Sequence, residues 1–173
     1  MATLRELTQA SHDAIEELPL NKSIFDGSIT EKQWTLLLHQ KYHLYKYIES
    51  RIELPENLRR EERLFEDCNK LPRVLLGATH KYLEHLQSLD DAAIWGHLYV
   101  HYMGELFGGQ MLKKMVPYEN KSHMDFESRK ELVDYMRAEL AGREEELADE
   151  ANLGFKLSMD LYDEIFRVTQ TSQ

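Results

Sequence analysis

The stretch Tyr99-Val-His-Tyr-Met-Gly-Glu-Leu-Phe-Gly-Gly-Gln-Met111 carries Gly104, Gly108 and Gly109 inside a helical pattern. Each glycine costs a helix interior about 1 kcal/mol relative to alanine. Gly104 and Gly108 are spaced i, i+4 and share one face. Such a face suits either a very close helix crossing or a flat ligand laid against bare backbone. Gly108-Gly109 also permits a kink, so the helix could move as a ligand enters. Glu105 stands between the glycines. It could organise water at a pocket edge, or simply be an exposed helix carboxylate.

His12 has the most suggestive neighbours of the eight histidines. At about 100° per residue, Arg5, Gln9, His12 and Glu16 form one stripe beside an apolar face. Glu16, one turn after His12, can accept a hydrogen bond from the imidazole and hold it neutral and oriented, as carboxylates do behind metal-ligating histidines. Arg5, two turns before, could meet an acidic ligand edge. From this helix alone a solvated flank is the simpler reading. His39 and His43 are spaced i, i+4, as are His97 and His101. Either pair could hold a transition metal, although packing or surface placement explains such pairs more often. No histidine has a glutamate three residues before it, so the Glu-x-x-His pattern of di-iron bundles is absent.

The elements that must position these residues are helical. Thr3-Leu-Arg-Glu6 forms a capping box, and Leu4, Leu7, Ile15 and Leu18 give the first helix its apolar face before Pro19. Thr30-Glu-Lys-Gln33 caps a long second helix running to about Leu54. Further helices are predicted over about 56–69, from Pro72 to about Leu89, from Asp90 or Asp91 to Met115, over about 126–141 and over 143–169. The segment 118–124 is polar and loop-like. Trp34, Tyr42, Tyr45, Tyr99, Tyr102, Phe155 and Phe166 belong mostly to the core, with a few able to line a pocket. There is no convincing strand alternation, repeat or low-complexity segment. The expected fold class is all-α: a single-domain bundle of about seven to eight helices over 1–173.

Bulk composition narrows the function. The 173 residues suffice for a real core, with 42% hydrophobic and 30% charged residues, as in ordinary globular proteins. A net charge of −10 argues against nucleic-acid binding and against anionic membrane surfaces. The single cysteine, Cys68, excludes an internal disulfide framework and a Cys-rich metal site. The first residues read as amphipathic helix rather than a signal peptide, and no run is long enough to span a membrane. A cytosolic protein is expected.

Tyr99-Val-His-Tyr-Met-Gly-Glu-Leu-Phe-Gly-Gly-Gln110 resembles the distal-helix signature of the haem oxygenase family, Y-x-R-Y-L-G-D-L-S-G-G-Q. Leu4 to Glu16 resembles the family's proximal segment, with histidine and glutamate in matching places. Tyr42-His-Leu-Tyr45 resembles its Y-H-x-Y element, and Glu150 to Leu161 its last helix. The resemblance covers nearly the whole chain in order. It implies haem held between a proximal and a distal helix. It implies cleavage with O2 and reducing equivalents to biliverdin, CO and Fe(II). Haem would be both substrate and oxygen-activating cofactor.

By that resemblance His12 is the axial iron ligand and Glu16 its hydrogen-bonding partner. Gly104 and Gly108 form the distal wall, Gly109 aids flexibility and Glu105 is catalytic. Arg5, Tyr99 and Arg137 meet the propionates, and Phe155 lines the pocket. An external electron donor is implied, a ferredoxin or a reductase, with a bilin reductase downstream. The acidic chain suits an acidic ferredoxin poorly unless Lys113, Lys114 and Arg137 gather near the haem edge. Glu105 replaces the family aspartate, His101 an arginine and Phe107 a serine, and Gln9 stands where some members carry a basic residue. No hydrophobic tail follows Gln173, which suits a soluble bacterial, plastid or viral type. The rival is a non-catalytic haem carrier or sensor on the same fold. An enzyme of similar architecture acting on another small molecule is disfavoured by His12 together with the glycine cluster.

Overall fold

In the computed structural model, which describes residues 2–170, Thr3 and Thr30 each close a full capping box and open α1 (Leu4–Leu7) and α4 (Glu31–Arg51). The expectation about the chain end at Gln173 lies outside the described residues. The first helix does not run unbroken. The Thr8 hydroxyl donates to the Leu4 carbonyl at 2.8 Å, and Thr8 leaves helical geometry at φ −116°. The chain restarts as α2 (Gln9–Glu16), and Pro19 then opens α3 (Pro19–Phe25).

The third predicted helix becomes a 3-10 turn at Glu56–Leu58 followed by α5 (Glu61–Asp67). Residues 71–76, predicted as the start of a helix at Pro72, are not helical. The Gln40 side chain replaces the backbone ladder there, donating to the Val74 carbonyl and accepting from the Leu76 N–H. Helix α6 therefore begins later, at Gly77–Gln87. Asp90 caps α7 (Asp91–Leu98). The glycine-bearing helix is subdivided into α7, a π-helical segment Tyr99–Met103, α8 (Gly104–Phe107) and α9 (Gly109–Met115), with the break at Gly108. A short 3-10 turn, Ser122–Met124, interrupts the polar loop, and α10 (Arg129–Leu140) and α11 (Glu144–Gln170) complete the fold.

Helix α11 runs through the bundle and packs on α1, α2, α3, α4, α6 and α7. Its closest crossing is with α7. A Cβ on Gly96 would lie 3.0 Å from Glu150 Cβ and 3.1 Å from the Ala151 backbone nitrogen. The core around α4 and α11 buries Leu38, Tyr45, Ile48, Tyr82, Tyr102 and Ile165. Among the described residues the eleven α-segments exceed the expected seven or eight because of the breaks at Thr8 and in the glycine stretch and because α3, not expected from the sequence, follows Pro19; no strand occurs among them.

Candidate functional site

His12 lies on α2 with half of its side chain exposed. Its Nδ1 is 3.3 Å from Glu16 Oε1, the one-turn contact expected from the spacing. The Phe155 ring of α11 meets the imidazole edge-on, with centroids 6.0 Å apart and planes at 85°. Nδ1 lies beside Glu16, and Nε2 has no hydrogen-bond partner among the described residues, so in the Nδ1–H tautomer its lone pair is free to bind a metal.

Gly104 and Gly108 are both exposed. A Cβ on Gly104 would meet nothing within 4 Å, and one on Gly108 would meet only the Gly104 carbonyl of the same stretch. Among the described residues no crossing helix uses this face; close crossings occur instead at Gly96 and Gly154. Between the two options for the glycine face, open space wins. Phe107, Met111 and Met115 follow at spacings of three, seven and eleven residues from Gly104, and all three are exposed large apolar side chains. The α8–α9 unit thus presents a bare apolar face to the outside.

Gly109 points the other way. It is buried, and a Cβ there would lie 3.3 Å from Glu105 Oε2. Of the two readings, Glu105 is not an exposed helix residue. It is buried and pairs with Lys41 of α4, and the Tyr45 hydroxyl donates to the same oxygen at 3.4 Å. Its other oxygen has no hydrogen-bond partner among the described residues. Lys41 Nζ donates to His123 Nε2 at 3.1 Å, and His123 Nδ1 donates to Asp67 Oδ2 at 2.7 Å. Asp67 also accepts from the backbone of Ser122 and His123. Burial pushes the Glu105 carboxyl up, but the Lys41 ammonium and His123 outweigh it, and the net shift is below the usual carboxylate range.

His101, where the family pattern has arginine, carries no charge. Burial, aided by His97 and Lys41, pushes its imidazole down to about 3. Its Nε2 meets the Tyr82 hydroxyl at 2.9 Å. The positive charge beside Glu105 comes instead from Lys41.

The structure joins His12, Glu16 and Phe155 into one group, and Gly104, Glu105, Gly108 and Gly109 into another. Arg137 of α10 stacks over the Phe107 ring at 5.4 Å, beside the second group. Arg5 is exposed on α1, and Tyr99 is half-buried at the start of the π segment. No hydrogen bond or ring contact among the described residues ties Arg5, Tyr99 or Arg137 to His12.

Sequence reasoning missed Lys41, His123 and Asp67. A signal for Lys41 exists: it interrupts the apolar stripe Trp34, Leu37, Leu38, Tyr45 and Ile48 at helical spacing, and a cation on such a stripe needs an anion across the core. Nothing comparable marks His123, which lies in a polar loop.

The family model described as Heme oxygenase matches residues 1–164. The chain is 28% identical over 136 residues to bovine Heme oxygenase 1, covering 65% of this chain and 46% of that protein. It is 29% identical over 133 residues to Heme oxygenase of Porphyra purpurea, covering 65% of this chain and 56% of that protein. The alignment with rat Heme oxygenase 2 covers 94% of this chain and 64% of that protein at 24% identity. The chain thus spans about half to two thirds of the length of these relatives. Its fold matches heme oxygenase-1 of the cyanobacterium Synechocystis in complex with heme, with a TM-score of 0.83, 21% identity and coverage of 96% and 94% of the two chains. It also matches heme oxygenase of Leptospira interrogans, with a TM-score of 0.82, 21% identity and coverage of 93% and 97%. With a family model spanning all but the last residues, and with the fold in agreement, the chain belongs to the heme oxygenase family.

Proposed function

We propose that this chain binds haem between α2 and the α8–α9 unit. It cleaves haem with O2 and external electrons to biliverdin, CO and Fe(II) in the cytosol. The observation that carries this reading is the exposed face of Gly104 and Gly108, continued by Phe107, Met111 and Met115, with open space over Gly104. The residues fit the group. A free imidazole nitrogen with a carboxylate behind it suits an iron ligand, and a bare apolar helix face suits a macrocycle.

When bound, haem supplies the iron that activates oxygen and the ring that is opened. The protein does the rest. His12 Nε2 would hold the iron, with Glu16, 3.3 Å from Nδ1, orienting the imidazole. Phe155 packs against the edge of the imidazole. Gly104 and Gly108 leave the distal face unobstructed. Arg5, Tyr99 and Arg137 would meet the propionates. Lys41 holds Glu105 ionised and carries protons on Nζ, next to the carboxylate that the family pattern assigns to proton delivery. Electrons come from a ferredoxin-like donor or a reductase, and a bilin reductase consumes the product.

The second reading, a haem carrier or sensor, is favoured by one observation: Glu105 is buried and tied to Lys41 rather than standing free to organise water. Haem titration followed by reductant under air separates the two. The enzyme loses its Soret band and gains biliverdin absorption. A carrier keeps the band, and that result would overturn the enzymatic reading.

A further inference from the structure

Away from the haem-facing groups, three helices send metal-binding side chains to one point. His85 of α6 and His97 of α7 both direct Nε2 at the same Glu150 oxygen of α11, His97 at 2.8 Å. All three ligand atoms lie within 4.8 Å of one another. The two imidazoles are 5.6 Å apart and inclined at 62°. We propose that His85, His97 and Glu150 form a site for a divalent transition metal of the zinc class, with water completing a tetrahedral set. Two imidazoles and one carboxylate are a donor set that zinc accepts.

The surroundings are built for this geometry. His97 is fully buried, and its Nδ1 meets the Tyr82 hydroxyl at 2.7 Å. Tyr82 continues to His101 Nε2 at 2.9 Å. A neutral His101 accepts the Tyr82 proton, so Tyr82 oxygen can accept from His97 Nδ1–H. With that choice of tautomer the His97 Nε2 lone pair faces the Glu150 carboxylate, and a cation drawn to both would satisfy them. Two glycines make the convergence possible. Gly96 lets α7 close on α11 at Glu150 itself, and a Cβ on Gly154 would come within 2.9 Å of His97 Nδ1 and 3.2 Å of the Tyr82 oxygen. His85 and Glu150 keep 26% and 22% of their side chains exposed, which leaves the ion a path from solvent. Bound there, the metal ties α6, α7 and α11 together behind the glycine-bearing unit and fixes the His97 tautomer. This site does not depend on haem.

The test uses Co2+ and Zn2+ with the haem-free full chain carrying His12→Ala, because His12, Asp13 and Glu16 form a second, exposed cluster that could take the same ions. One Co2+ per chain should bind with visible ligand-field bands of a tetrahedral site, Zn2+ should displace it, and either ion should raise the thermal midpoint. Adding His85→Gln should abolish the bands and the midpoint rise while far-ultraviolet circular dichroism stays unchanged; His85 is partly exposed, so this variant folds. Glu150→Gln should do the same to the bands. Absence of bands and of any midpoint rise would overturn the proposal. So would metal binding that survives His85→Gln, or the result that His12→Ala alone removes all binding. In those cases Glu150 is a plain acceptor for two imidazole N–H groups.

Discussion

On the α2 side of the proposed cleft, His12 stands half exposed with a single carboxylate one turn away. On the α8 side, Glu105 is buried at the end of a chain that runs through Lys41 and His123 to Asp67. The His12 pair is local, spaced i, i+4, and legible in the sequence. The Glu105 network joins residues up to 82 positions apart and exists only because α4, α5, α8 and the Ser122–Met124 turn meet. An exposed ligand can be removed with little cost to the fold. A buried charge cannot lose its partner without leaving the other uncompensated.

The sharpest test of that contrast is Lys41→Met. It should cost about 3–5 kcal/mol of stability by stranding the Glu105 carboxylate, read as a lower urea midpoint, and adding Glu105→Gln should restore most of it. His12→Ala should shift the same midpoint by less than about 0.5 kcal/mol. Equal losses from the two single variants would erase the distinction between the two sides.

Glycines offer the next comparison. Gly104→Leu should leave the haem-free protein as stable or up to about 1 kcal/mol more so, since its Cβ meets nothing. Haem turnover should fall on the order of a hundredfold, because the side chain fills the space over the ring. Gly96→Ala should instead destabilise by about 1–3 kcal/mol, since its Cβ runs into the α11 backbone. Matched thermal melts and biliverdin assays check both. A destabilised Gly104→Leu would show that this face is packed after all.

The smallest expected effect is on pH dependence. His101 titrates at about 3 in the fold against an ordinary value of 6.5. Between these values the unfolded chain binds the proton and the folded chain does not, so stability rises with pH and is lost on acidification from 6.5 downward. The slope is about 1.4 kcal/mol per pH unit for this group. His97 and His123, also pushed down by burial, add in the same direction. Glu105 and Asp67, held below the usual carboxylate range, contribute stability that is fully present above that range and lost at still lower pH. Urea midpoints at pH 7, 6 and 5 measure the histidine part, and a flat profile would mean that these imidazoles are solvated.

What the sequence made legible was periodic or local. Both threonine capping boxes and the His12–Glu16 contact follow from spacing alone, whereas spacing offered Asp90 or Asp91 as the cap and two uses for the Gly104 face. What it hid depended on side chains competing with backbone or reaching across the core. Thr8 breaks the first helix by bonding its own preceding turn, and Gln40 holds residues 71–76 extended. Glu105 turned inward because Lys41 awaited it. No window of α8 contains that information, although the cation interrupting the apolar stripe of α4 hints at it.

The central claim is that His12 and the Gly104 face hold haem between them. The ferric haem complex of the intact chain, compared with that of His12→Ala, tests it most directly. The wild type should show a histidine-ligated spectrum. His12→Ala should lose that signature and regain it when free imidazole is added, with haem still retained by the apolar face of α8–α9. A His12→Ala spectrum identical to wild type, with the signature lost instead on replacing His39, His43, His97 or His101, would contradict the account.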